Sequence, residues 1–246
     1  MNSNERRAYF KQFDRKRAAH LVWARAQFRR AFRTQFREWL KLDVLDSDLL
    51  DPEPMERAYR IVWSKVGQDF AVSTAQTIET GRKSITATRN DYRASLLSYL
   101  ATNGAERVTG VNQTTKDKLR AILNNAVNQG LSIAETNRLI RSEYNVMTNY
   151  RAERIARTEI IGASNRGAYE AGRATGIQLN KIWIATVDDR TRDSHRELDG
   201  TSIEQSELFR VGSEWMETPG DVTASPENFI NCRCTIAFEQ PKNEPF

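Results

Sequence analysis

Cysteine is almost missing from this chain. Two occur in 246 residues, as a Cys-x-Cys pair at Cys232 and Cys234. That excludes a disulfide framework and leaves a reducing compartment, a metal site or two ordinary thiols. Histidine is as scarce, with His20 and His195 alone. No apolar run approaches the roughly 18 residues of a membrane span. The N-terminus shows no apolar signal segment, so secretion by that route is not expected. There is no glycine-rich phosphate loop, no His-Glu-x-x-His and no nucleophile elbow, which removes several common enzyme classes on motif grounds. Extensive disorder is excluded too, because ten Phe and five Trp accompany a 39% hydrophobic fraction. The length suffices for a real core.

Charge is plentiful and uneven. Residues 1–41 hold twelve Lys/Arg against Glu5, Asp14 and Glu38, a net +9, whereas residues 188–246 hold six bases against thirteen acids, a net −7. Such a dipolar chain suggests different partners at its two ends, or copies that meet head to tail as a homo-oligomer.

Residues 4–41 read as one long amphipathic helix. Phe10, Phe13, Leu21, Ala24, Phe28, Phe32, Phe36 and Trp39 recur at three- and four-residue steps, with one eight-residue step from Phe13 to Leu21. The simplest reading is an aromatic stripe on a neighbour and a solvated basic face. The functional reading is that Arg25, Arg29, Arg30, Arg33 and Arg37 meet the phosphates of double-stranded DNA without sequence preference. Residues 42–51 form an acidic linker, and Asp51-Pro52 starts the next helix. Gly67 is expected to break or bend that helix. A weaker helical stretch runs over 70–80 and ends at Gly81. A helix over 84–101 follows, then a polar loop over 104–112 and a helix over 115–129 with Leu119, Ile122, Leu123, Ala126 and Val127 inward. The capping box from Ser132 to Glu135 opens another helix. A separate one over 149–175 is rich in small residues and therefore expected to be central. Within it, Glu159 is expected to pair with an arginine in a structural ion pair.

From residue 181 the texture changes. Residues 182–187 are β-branched and aromatic and read as a strand, residues 193–198 as a helical turn ending at Gly200, and residues 201–209 as a short strand or turn. Residues 235–238 read as a second strand, before a frayed tail over 240–246. The fold class is mainly α with a small C-terminal α+β module: a long basic N-terminal helix, a helical body, and short strands near 182–187 and 234–238. The division is a basic helical arm over 1–41, a helical region over 42–110, and a domain over 111–246 whose α+β terminus starts at 181.

Three chemistries suit this terminus. His195, Cys232 and Cys234 carry the right atoms for zinc, with Asp188, Asp189 or Asp199 as the source of a fourth ligand. The same acids with His195 could build a metal-dependent nuclease or transferase acting on nucleic acid. The third reading is architectural. Trp183 anchors a clasp, Asp188, Asp189 and Arg190 brace its loop, and Asp199-Gly200 makes its turn.

The order Arg154-Ile155-Ala156-Arg157-Thr158-Glu159, Trp183, Asp188-Asp189-Arg190-Thr191-Arg192, His195-x-x-x-Asp199-Gly200 and Asn231-Cys232-Arg233-Cys234 resembles the Mu F-like minor head proteins of tailed bacteriophages. The resemblance spans about residues 110–238. It implies a non-enzymatic virion component of head morphogenesis or genome delivery. Its partners would be the portal and the major capsid or scaffolding protein, and packaged DNA. It would sit inside the head or at the portal vertex, after assembly in the host cytoplasm. Many members carry a Cys-x2-Cys pair where this chain has Arg192 and His195, and a His where it has Phe229. If those members bind metal through these residues, this chain keeps His195, Cys232 and Cys234 of the set.

Overall fold

The structure, a computed structural model, describes residues 1–42, 44–79 and 86–241. The expected helix end at Gly81, the start at Ser84 and most of the tail lie outside the described residues. Helix α1, Ser3–Trp39, opens with a capping box in which Asn2 Oδ1 accepts from the Glu5 backbone N–H and Glu5 accepts from that of Asn2. Its aromatic stripe faces inward. Phe13, Ala24, Phe28, Phe32 and Trp39 are buried, and Phe10 packs on Ile182, Ile184 and Ala237. Each fully buried phenylalanine contributes roughly 1.5–3 kcal/mol. Helix α1 shares one core with the helical body and with Trp183 and Ile236 of the terminus.

Helices α2 (Glu53–Glu79) and α5 (Ile133–Ala174) form the centre. Gly67 does not break α2. It lies where α5 crosses, and a side-chain carbon at Gly167 would sit 2.1 Å from the Gly67 carbonyl oxygen. The missing side chain at Gly167 permits that contact, whereas a side-chain carbon at Gly67 would meet the Leu96 side chain at 2.5 Å. Helix α5 also merges the helix expected to open at Ser132 with the one expected over 149–175, because no glycine or proline stands at their junction. At 42 residues it is about 63 Å long. Tyr144, in its first third, stacks on Phe36 with ring centroids 4.0 Å apart and donates to the Phe32 carbonyl.

Helix α3 (Arg89–Asn103) leads through Gly104 into α4 (Ala105–Asn128). The polar loop expected over 104–112 is helix. Two of its polar residues point inward and find partners there: Arg107 reaches Glu159, and Asn112 accepts from Gln35 at 2.8 Å. Val127, expected inside, is exposed.

The terminus holds two small antiparallel sheets. Strand β1 (Asn180–Ile184) pairs with β2 (Ser202–Glu204) on one side and β5 (Thr235–Glu239) on the other, with Trp183 opposite Ile236. Between them lie α6 (Asp193–Arg196), the hairpin β3 (Phe209–Val211) and β4 (Glu214–Met216), and α7 (Pro226–Phe229). The hairpin is not anticipated above. Its turn is Gly212-Ser213, where Gly212 takes a positive φ of 62°. No helix among the described residues is long and apolar enough to cross a membrane.

Candidate functional site: a buried clasp and an arginine groove

The β1–β5 pairing brings the two halves of the terminal motif together. Chain direction then carries Asp188 and Arg233 to one edge, where Arg233 grips both carboxylate oxygens of Asp188, with Nη2 2.6 Å from Oδ1. Oδ1 also accepts from the Arg190 backbone N–H at 3.1 Å and from Thr191 Oγ1 at 3.0 Å. These bonds, the guanidinium first, hold the Asp188 carboxyl well below the usual carboxylate range. Asp199 performs the second closure. Its Oδ1 accepts from the Ala185 N–H at 3.0 Å and its Oδ2 from Arg6 of α1 at 3.0 Å. Gly200, with φ 83°, follows, and its N–H donates to the Trp183 carbonyl at 2.8 Å. Asp189 and Arg190 project into solvent. Arg190 serves the loop mainly through its backbone, and Asp189 does not brace it.

Beneath this loop lie His195, Cys232 and Cys234, all buried to 2% exposure or less. His195 Nδ1 is 3.6 Å from Cys232 Sγ and 3.5 Å from Cys234 Sγ. Trp183 meets the imidazole edge-on at 5.4 Å between centroids. The thiols titrate unlike one another. The bond from Cys234 lowers Cys232, and that same contact raises Cys234. Asp188 is taken by Arg233 and Asp199 by Arg6 and Ala185, so neither of these carboxylates is free to join the trio.

The residue least expected here is Arg17. It is buried, and it donates to Ser164 Oγ at 2.8 Å, Asn165 Oδ1 at 2.9 Å, and the carbonyls of Arg233 and Cys234. It thus joins α1 and α5 to the start of β5. Glu159 accepts from Trp63 Nε1 at 2.9 Å and pairs with Arg107 at 3.5 Å, the structural ion pair expected of it; desolvation raises its carboxyl.

Outside the clasp, a groove of about 740 Å³ runs between α1, α5 and the 190–192 loop. Arg154, Arg157, Arg190, Arg192 and Arg233 line it, against Asp14 and Glu153. Tyr150, exposed at its rim, carries the Arg154 guanidinium 5.8 Å from its ring centroid. Cys232 lines the groove as well. The α1 arginines lie on the adjoining flank. Arg25 is half-buried and pairs with Glu153 at 3.5 Å, Arg29 is half-buried, Arg30 and Arg33 are exposed, and Arg37 pairs with Glu38.

Residues 117–237 match the family model described as Phage Mu protein F like protein. A minor head protein, GP7 of Bacillus phage SPP1, is 32% identical over 91 residues, 36% of this chain and 29% of that protein. The NAD(+)–arginine ADP-ribosyltransferase EFV of Enterococcus faecalis (strain ATCC 700802 / V583) is 36% identical over 111 residues, 44% of this chain and 22% of that protein. The chain thus spans less than a third of the length of either relative. No solved structure matches the chain at a significant level.

Proposed function

With residues 117–237 forming a Phage Mu F-like segment, we propose that this chain is a structural protein of a tailed-phage head. In this reading it takes part in head morphogenesis or genome delivery and touches packaged DNA through the arginine groove. The similarity of the segment to a minor head protein carries the reading. The clasp geometry supports it. Asp188 and Asp199 are consumed by ion pairs, and His195 is buried against two thiols. A nuclease or transferase needs such groups exposed to substrate. The transferase name belongs to a protein of which the match covers 22%, so the shared stretch need not include its reacting centre.

The groove suits a phosphodiester backbone better than a protein surface. Its arginines outnumber its acids, and its exposed tyrosine offers a stacking face, a combination that binds nucleic acid without sequence readout. Portal, major capsid and scaffolding proteins remain the partner classes proposed, with the head interior or portal vertex as the place. Mass spectrometry of gradient-purified particles, produced from the host that carries this gene, tests the reading. The chain is expected in a few copies per particle. Its absence from particles, with the chain present in the lysate, would remove it from the virion.

A further inference from the structure

The buried trio is spaced as ligands around a common centre. A tetrahedral zinc ion, with about 2.3 Å to sulfur and about 2.05 Å to imidazole nitrogen, holds such ligands about 3.6 Å apart. His195 Nδ1 stands 3.6 and 3.5 Å from the two sulfurs, and all three donors lie within 4.8 Å of one another. Hydrogen bonding accounts for only one of these two contacts. A neutral imidazole nitrogen offers one lone pair or one hydrogen, so a single sulfur satisfies it. A ring nitrogen aimed at two sulfurs at equal range is what a shared cation requires.

The surroundings fit the charge. Two thiolates, one neutral imidazole and one divalent ion sum to zero, which suits residues this deeply buried. Arg17, fixed on the carbonyls of Arg233 and Cys234, steadies the segment that carries both sulfurs. The acids considered as a fourth ligand are elsewhere. Asp188 and Asp199 are engaged by arginines, and Asp189 faces solvent.

We propose that His195 Nδ1, Cys232 Sγ and Cys234 Sγ bind one zinc ion, with a solvent molecule admitted from the groove that Cys232 lines as fourth ligand. Binding displaces one proton from each thiol to solvent and forms two zinc–sulfur bonds and one zinc–nitrogen bond. The ion pins α6 to the residues leading into β5 and so holds the clasp shut. The site does not depend on the proposed head role.

The test uses the full chain purified under reducing conditions. Elemental analysis is expected to give about one zinc per chain. Cobalt(II) added after chelation is expected to give a thiolate-to-cobalt charge-transfer band with the visible bands of tetrahedral coordination. Chelation is expected to lower the melting temperature, and zinc to restore it. Cys232→Ser and Cys234→Ser are expected to lose the metal and the cobalt band. Where a variant fails to fold, the cobalt titration of the native chain decides. Asp189→Asn, at an exposed position, is expected to keep full stoichiometry; a metal-free D189N chain would overturn the solvent position. Zinc far below one per chain, together with no charge-transfer band, would overturn the site. A melting temperature indifferent to chelation would overturn the pin.

Discussion

Arg17 Nη2 donates to Asn165 Oδ1 across 2.9 Å, in the interior of the protein, from a helix whose other arginines largely face outward. Asn165 in turn donates to the carbonyls of Pro219 and Cys234, and Thr235 Oγ1 donates to Asn165 Oδ1. Arginine is suited to this place because its planar fork serves several fixed acceptors at once. Arg17→Ala would take the donor from Ser164 Oγ and the Arg233 carbonyl, and would leave Asn165 Oδ1 and the Cys234 carbonyl with one donor each, Thr235 and Asn165. It is expected to cost about 1–3 kcal/mol. Arg30→Ala, on the exposed face, is expected to stay within about 0.5 kcal/mol. Urea unfolding of the two variants measures both. Equal effects would show that Arg17 carries no special weight.

The crossing of α2 and α5 leaves no room for a methyl group. At Gly167 the added carbon would lie 2.1 Å from the Gly67 carbonyl oxygen, and backbone cannot swing aside as a side chain can. Gly167→Ala is therefore expected to destabilise the chain by about 3 kcal/mol or more, or to prevent folding. Gly110 provides the contrast. It is exposed inside α4, and nothing lies within 4 Å of the added carbon. Gly110→Ala is expected to stabilise by about 0.4–1 kcal/mol, through helix propensity and a less entropic unfolded chain. Thermal melts of both variants check the pair of opposite signs.

These elements show what the sequence makes legible and what it hides. The aromatic stripe of α1 is readable because apolar residues repeat with the helical period, and its one eight-residue step is informative in hindsight. Arg17 fills the middle of that gap, four residues from Phe13 and from Leu21. A charged residue in an apolar stripe is the signal that could have found it. The first and last strands of the terminus, the capping box at Ser132 and the small residues of α5 are local signals and therefore legible. Gly67 is misread as a breaker because its surroundings are set by distant residues, the Leu96 side chain beside its α-carbon and Gly167 against its carbonyl. The stretch over 104–112 looks like a loop because Arg107 and Asn112 are polar, and only their distant partners, Glu159 and Gln35, make them interior. Within the terminal motif, His195, Cys232 and Cys234 do converge, whereas Asp189 and the Arg190 side chain turn outward. Sequence spacing cannot separate Asp188 from Asp189, since adjacent residues in a loop point in different directions.

Lys181 gives a pH dependence with a definite sign. It is fully buried, donates to the Glu217 carbonyl at 2.8 Å, and lies over the rings of Tyr169 and Phe209. Burial lowers its pKa from the ordinary 10.5 to about 8. Between those values the unfolded chain holds the proton and the folded chain has released it. Stability from this group therefore rises as pH climbs from about 8 to 10.5 and is flat below. Lys181→Met should remove that rise. Unfolding free energies of the two proteins, subtracted at each pH, cancel the tyrosines that titrate nearby. A difference curve that stays level across the window would contradict the depressed value.

Asp188 supplies the opposite slope in acid. Its folded carboxyl sits below the unfolded carboxylate range because Arg233 and Thr191 bind its charged form. Its contribution is complete above the unfolded value and is lost as pH falls through the folded one. Asp188→Asn should flatten the acid limb of stability relative to the native chain. It should also loosen the 188–191 loop, since Asn cannot receive Arg233 at both oxygens. Hydrogen exchange at the backbone amides of Arg190 and Thr191 reads the second effect. Unchanged protection there would mean that the β1–β5 pairing alone holds the loop.

The groove and the α1 flank can be separated by salt. Each phosphate neutralised by an arginine releases counterions, so the slope of log affinity against log salt counts contacts at about 0.9 per phosphate on duplex DNA. Arg154, Arg157 and Arg190 line the groove, and none of them belongs to the buried network of Arg17. Replacing all three with alanine is expected to leave the fold intact, weaken binding of a mixed-sequence duplex at least tenfold near physiological salt, and lower the slope by about two to three. Arg29→Ala/Arg33→Ala removes charge from the adjoining flank of α1. If duplex binding follows the phosphate backbone along the groove, this pair changes the slope less than the triple variant does. A larger loss from the α1 pair would move the contact to the helix face. Binding by the native chain that ignores salt would exclude a phosphate-led contact at either surface. Tyr150→Ala adds an independent reading, because stacking on an exposed ring favours unpaired bases over a closed duplex. A loss confined to single-stranded probes would assign the groove to melted or terminal DNA, and an equal loss on both would reduce Tyr150 to a support for Arg154.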